Sequence, residues 1–277
     1  MYTESSIELK SDFYCRYGSA ALQLYFERTG LPCVILDSGS ERLAFAMGLG
    51  VRAYGRECGD ILRIINADSN ECDVTFAPHG LGAQILYKED MPGMDLMRET
   101  AEYTILKLLC AMRHVREPGM GGIVEMCDRF GSRGWCAYDD GEIVRQVPLP
   151  LVYNNVILVR TGKKHRDTAA GGYERFCEGE RLRIEYAARA LRACRTDLFF
   201  EAVNESELSI ERLLSPPQAS VEAVHDVMEA DGVLAARICD PGIICITEKD
   251  KTDSVIQSIS HSFESRTGYP AGIIVVK

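Results

Sequence analysis

The sequence predicts an α+β fold, and three observations carry that expectation. Strand-like runs joined by tight turns recur between residues 33 and 160. Helical periodicity takes over from Glu178, and strands return near the end around a hairpin turn. Few strands alternate singly with helices, which disfavours a parallel doubly wound sheet.

The elements follow in order. Over residues 17–28, Ala21, Leu22, Leu24, Tyr25 and Phe26 have helical spacing, and Gly30 and Pro32 supply a stop. Cys33-Val34-Ile35-Leu36 reads as a strand and Asp37-Ser38-Gly39-Ser40 as a turn. Strands are predicted over 42–54 and 61–65, joined by Glu57-Cys58-Gly59-Asp60, and over 73–76 before a loop with Pro78 and Gly80. A helix is predicted over 94–115, where Leu96, Met97, Ala101, Ile105, Leu108, Leu109 and Met112 make one apolar stripe. The glycine-rich Pro118-Gly119-Met120-Gly121-Gly122 and a short segment over 123–130 come next, then strands over 135–139, 143–147 and 155–160. Helices are predicted over 179–195, 198–213 and 219–230, the last preceded by the breaker Ser215-Pro216-Pro217. Strands over 232–238 and 243–247 flank Asp240-Pro241-Gly242, and a helix over 252–266 and a strand over 272–276 finish the chain.

Composition narrows the function. At 277 residues the chain is long enough for one large or two medium domains. It carries 41 acidic and 31 basic residues, a formal charge of -10. Its densest basic run, Lys163-Lys164-His165-Arg166, is four residues long, so nucleic acid is disfavoured as a partner. The 11 cysteines include no C-x-x-C pair, so no metal site is expected and the thiols read as reduced. The first residues lack the basic and apolar stretches of a secretion signal, and no run of about 18 apolar residues occurs. A cytoplasmic protein with no membrane partner is expected.

Several segments resemble galactokinase, of the GHMP kinase superfamily. Val147-Pro148-Leu149-Pro150, Val156-Ile157-Leu158-Val159 and Thr161-Gly162-Lys163-Lys164-His165 resemble its V-P-L-P…V-V-x-x-T-G-V-K-H segment. Tyr173 falls at the sugar-contacting tyrosine of S-x-Y-N-x-R-R, although Phe176-Cys177 replaces the arginine pair. Ala187-Ala188-Arg189-Ala190-Leu191 and the stretch 199–209, with Val203-Asn204-Glu205-Ser206, are similar to A-x-x-A-L…F-G-x-L-M-N-x-S-H. Asp231-Gly232-Val233-Leu234-Ala235-Ala236-Arg237 resembles G-V-x-G-A-R. Order and spacing hold from about Gly121 to Lys277, and the first half matches more loosely. The resemblance implies a two-domain GHMP kinase fold: a shortened, ribosomal-S5-like N-terminal domain over 1–170 and a ferredoxin-like C-terminal domain over 171–277.

It also implies where chemistry belongs. GHMP kinases cradle ATP phosphates on a G-L-S-S-S-A-type loop, whose amides and helix N-terminus present unpaired donors. The nearest glycine-rich segment here offers Gly119, Gly121 and Gly122 without a serine, and it equally reads as a turn. The sugar signature G-R-V-N-L-I-G-E-H-T-D-Y is replaced by Asp37-Ser38-Gly39-Ser40-Glu41-Arg42, leaving Arg42 as a candidate sugar contact or a turn residue. The catalytic aspartate of G-I-M-D-Q aligns with Glu125 on Gly122-Ile123, or with Val124 counting back from Phe130-Gly131. Glutamate is one methylene longer, and such misplacement costs about 10²-fold; an exposed helix carboxylate is the alternative for Glu125. The third glycine motif is cut to Pro241-Gly242. Lys164, His165 and Tyr173 correspond to the sugar-facing side.

Three functions therefore stand. A non-catalytic galactokinase homologue would bind a small molecule such as a sugar, or a partner, or regulate. An active sugar kinase would use Glu125 as base and residues 118–122 for phosphate, with ATP and Mg²⁺ as cofactors; otherwise no cofactor is expected. A structural or oligomeric module would bind no ligand, and the sequence names no oligomeric state.

Overall fold

The computed structural model describes residues 4–18, 23–77, 80–92, 94–117, 119, 121–132, 134–160, 171–239, 242–267 and 271–275. The elements are mixed helix and strand, as the α+β expectation requires. The chain forms two compact units, Met1–Pro32 with Gly48–Asp128 (unit 1), and Cys33–Met47 with Arg129–Lys277 (unit 2). Strands β1 (Tyr25–Asp37) and β2 (Arg42–Glu57) each run from one unit's residues into the other's.

In unit 1, β3 (Ile61–Asn66), β4 (Cys72–Phe76) and β5 (Ala83–Glu89) join β2 in the order β4-β3-β5-β2. Pairing is antiparallel except between β3 and β5, so β5 inserts beside β3 instead of extending the β3–β4 hairpin. Side chains alternate across a strand, and the two faces bury different helices. Helix α1 (Glu4–Tyr17) sets Leu9 and Phe13 against Tyr54 and Leu86. Helix α2 (Asp95–Met112) sets Leu108 and Met112 against Ala53, Ala83 and Ile85. Gly55 faces α2, where an added Cβ would stand 3.0 Å from Leu108 Cδ2. Helix α3 (Gly122–Phe130) follows.

In unit 2, residues 42–44 of β2 pair with β6 (Trp135–Asp139), which pairs with β7 (Val144–Pro148). Strand β8 (Asn154–Arg160) joins β9 (Val233–Cys239), β10 (Gly242–Glu248) and β11 (Gly272–Val275) in an antiparallel sheet of order β11-β8-β10-β9. That sheet thus takes a strand from before residue 170. Helices α6 (Gln218–Glu229) and α7 (Thr252–Thr267) bury Val224, Val227, Val255 and Ile259 on one face, against Ile157, Ile243 and Cys245. Helices α4 (Tyr173–Arg192) and α5 (Thr196–Leu214) pack on each other, and α5 also packs on β9.

The expected helix over 17–28 is not formed. Its region holds the end of α1 and the start of β1, with residues 19–22 outside the described set. Gly30 and Pro32 stop nothing: both lie within β1, which pairs only with β2 among the described residues. A strand with one neighbour tolerates proline because its missing N–H is not needed on the open side. The segment over 123–130 proves helical, and α4 starts six residues before Gly179, which sits inside it.

Candidate functional site

The turn between β1 and β2 builds the better-defined part of the candidate site, within unit 2. Ser38 is buried and closes the turn: its N–H donates to Glu41 O at 3.0 Å, and its Oγ accepts from Glu41 N at 2.9 Å. Asp37 Oδ1 accepts from Gly39 N at 2.8 Å, an Asx-type turn. Gly39 has φ +88, a left-handed conformation that glycine adopts without steric cost. Arg42 folds back over the turn, with Nη2 3.3 Å from Gly39 O and Nε 3.5 Å from Asp37 Oδ1.

Tyr173 reaches the same turn from the first residue of α4. A Cβ at Gly39 would stand 3.3 Å from its hydroxyl oxygen, so Gly39 is also the residue that leaves room for Tyr173. The placement is set by Gly172, where an added Cβ would meet Leu213 O at 2.2 Å. Only glycine lets the start of α4 approach α5 that closely, and Tyr173 then packs beside Phe176, Ile210 and Leu214. Two further turns of α4 bring Arg181 to Glu41, Nε to Oε1 at 3.8 Å. Two of the expected sugar contacts, Arg42 and Tyr173, are therefore brought together at Gly39. The other two, Lys164 and His165, lie outside the described residues.

Acids dominate the electrostatics of this region. Burial raises the Glu41 carboxyl above its usual range; Asp140, Glu185 and Asp139 add to the rise and Arg181 opposes it. Burial likewise raises the Tyr138 phenol, helped by Glu41, Asp140 and Glu185. Carboxylates, guanidinium groups, hydroxyls and the tyrosine together gather hydrogen-bond donors and acceptors at this turn.

Glu125 and the three glycines fall in unit 1, at the start of α3. Glu125 Oε2 accepts from Gly121 N at 2.7 Å, so the carboxylate reaches back and caps its own helix. Gly119 lies alongside, its Cβ position 3.8 Å from Glu125 Oε1. Gly121 and Gly122 take φ +67 and +84, turn geometry that glycine favours. Glu125 is buried, not the exposed helix carboxylate that the sequence also allowed.

A buried polar network in unit 2 escaped the sequence reading. Arg237 Nε donates to Ser206 Oγ at 2.8 Å, Nη1 to Ile35 O at 2.6 Å and Nη2 to Glu180 Oε1 at 3.0 Å. Ser206 Oγ donates to Glu180 Oε1 at 2.8 Å, and Arg183 Nε to Glu180 Oε2 at 2.9 Å. The network ties α4, α5, β9 and β1 through residues far apart in sequence. Its signal was present in the resemblance, whose N-x-S and G-A-R segments contain Ser206 and Arg237.

No protein-family model matches the sequence, and no curated protein matches it. Solved structures do. The chain is similar to galactokinase of Lactococcus lactis complexed with galactose, at TM-score 0.81 and 13% identity, over 99% of this chain and 98% of that one. It is also similar to the mevalonate kinase of Methanococcus jannaschii, at TM-score 0.68 and 9% identity, over 93% and 98% of the two chains. The mevalonate diphosphate decarboxylase of Staphylococcus aureus matches at TM-score 0.59 and 11% identity, over 92% and 98%. Identities this low show a shared fold. Among the described residues no helix is long and apolar enough to cross a membrane.

Proposed function

We propose that this chain, which has the GHMP kinase fold, is a non-catalytic galactokinase-like protein that binds a small sugar-like molecule. Glu125 carries this reading. A general base must have its carboxylate within hydrogen-bond reach of the hydroxyl it deprotonates, and Glu125 turns Oε2 back onto the Gly121 amide at 2.7 Å at the start of its own helix. The same bond occupies a helix-start donor that a phosphate would need.

The nucleotide fares no better at α2. Its first turn carries Asp95, which complements the helix dipole itself and repels phosphate. Arg98 leans toward Asp95 at 3.9 Å. On this reading Asp95 and the Glu125–Gly121 bond disfavour Mg·ATP, and no step is derived through it. The turn at Gly39 supports sugar binding instead, with Arg42 and Tyr173 on one glycine. Galactose, the ligand named for the Lactococcus lactis structure, is the first compound to try.

At a galactose concentration of 100 Kd, a binder gains about 2.7 kcal/mol of stability, read as a thermal shift that Tyr173→Phe and Arg42→Ala should diminish. No shift with any hexose would favour a purely structural module. A second reading, an active kinase with rearranged motifs, draws support from Glu125, Gly119 and Gly121 gathering at one helix start. Under it Glu125→Gln abolishes turnover; under ours there is no turnover to abolish.

A further inference from the structure

Strand β9 lies at the edge of its sheet, and its outward backbone groups are met by side chains of α5. Asn204 Nδ2 donates to Leu234 O at 3.1 Å, and Asn204 Oδ1 accepts from Ala236 N at 3.2 Å. Glu207 Oε2 accepts from Ile238 N at 2.6 Å. Alternate residues of a strand point their amides the same way, so two side chains one helical turn apart serve the run from Leu234 to Ile238. Open edges invite pairing with other chains, and this one is covered.

Glu207 differs from Asn204 in being titratable. It is 0% exposed, and its Oε1 is buried and meets no hydrogen-bond donor among the described residues. An ionised carboxylate offers about four lone-pair sites. Only the Ile238 amide is shown serving them, so the charge gives up most of its hydration.

The surrounding charges do not repair this. Arg237 on β9 already binds Ser206, Ile35 O and Glu180. On α4, Glu180 is engaged with Arg237 and Arg183. Glu211, one turn along α5, repels a second carboxylate. On α6, His225 Nε2 sits 2.7 Å from Glu211 Oε1 and is charged only when protonated. Burial pushes the Glu207 carboxyl up to about 7, with Glu211 adding to the rise and the Ile238 amide, Arg237 and His225 opposing it.

We propose that Glu207 is a proton-operated latch between α5 and β9. Protonated, it stays buried and secures Ile238; ionised, it releases the α5–β9 contact and the strand that ends at Cys239. The sign follows from the raised carboxyl. The closed state keeps its proton to about 7 while an opened, hydrated carboxyl loses it near the ordinary 4.5, so closure weakens as pH rises through that window and levels off above it.

Hydrogen exchange of the Ile238 amide, corrected for base-catalysed intrinsic rates, reads the opening directly in the full chain. Opening should increase about 30-fold between about pH 5.5 and about pH 8.5. Glu207→Gln keeps an acceptor for Ile238 and leaves His225 and Glu211 in place, so its profile should be flat. An equal pH dependence in the variant, or none in the parent, overturns the latch. Should the variant fail to fold, the carboxyl ¹³C titration of Glu207 in the parent protein decides: a midpoint near 7 supports the latch, and one in the ordinary carboxylate range overturns it.

Discussion

Arg237 in unit 2 and Lys107 in unit 1 are both cations held between protein oxygens, yet their surroundings differ. Arg237 is 1% exposed and Glu180 0%, and all three guanidinium nitrogens bond to Ser206, Ile35 O and Glu180. Lys107 keeps 13% of its side chain in water, with Nζ 3.0 Å from both Glu27 and Asp128. Burial opposes the Lys107 charge, but the two carboxylates together hold its ammonium above the usual range. A dry, bonded fork ties four elements together, whereas a point charge that keeps some contact with water only favours one arrangement.

Removing each cation separates the two cases. Arg237→Ala leaves the buried Glu180 with Arg183 as its remaining cation and should cost about 3–5 kcal/mol in urea unfolding, whereas Arg237→Met with Glu180→Leu should recover much of that loss. A loss below about 1 kcal/mol for Arg237→Ala would mean that water enters and the network is not dry. Lys107→Met should cost less, about 1–2 kcal/mol, and the loss should shrink with added salt because the cluster is partly hydrated. An equal, salt-independent loss at both sites would erase the distinction.

The helix termini extend the comparison to smaller effects. Glu125→Ala removes the reach-back bond to Gly121 and should cost about 1 kcal/mol. Both α2 and α4 end in a Schellman motif without glycine: His114 (φ 51) and Cys194 (φ 55) take the left-handed position. Val115 N bonds Cys110 O, and Arg195 N bonds Ala190 O. His114→Gly should stabilise by about 0.5–1 kcal/mol, read as a small rise in Tm.

Much of the fold was legible because turns punctuate it. Gly59, Asp37-Ser38-Gly39 and Pro216-Pro217 all mark boundaries that the structure keeps. What was misread was local and ambiguous. Helix α1 lies in a polar stretch with few apolar anchors, chiefly Leu9 and Phe13. Strand β5 was passed over between Gly82 and Pro92-Gly93, since its partner β3 is parallel and lies beyond a hairpin. Gly30 and Pro32 looked like a stop because propensity does not reveal that a strand has one open side.

The site was legible only in part, for a related reason. Arg42 and Tyr173 were found by resemblance, and their meeting at Gly39 joins residues more than 130 positions apart. The capping role of Glu125 follows from a carboxylate four residues after Gly121, but the same spacing of acid and glycines also fits a phosphate loop with its base. Glu207 carried a faint signal: it stands where the resembling N-x-S-H segment has histidine. Its burial depends on β9, some 30 residues later, and periodicity alone does not supply that contact.

On the proposed reading the fold persists here without phosphoryl transfer, with the Glu125 carboxylate turned back onto the Gly121 amide. Incubating the purified chain with Mg·ATP and galactose and following phosphorylated sugar tests it most directly. No product above the rate without protein is expected, in the parent and in Glu125→Gln alike. Turnover at roughly 1 s⁻¹ or more, the ordinary range for enzymes, lost on Glu125→Gln, would contradict it.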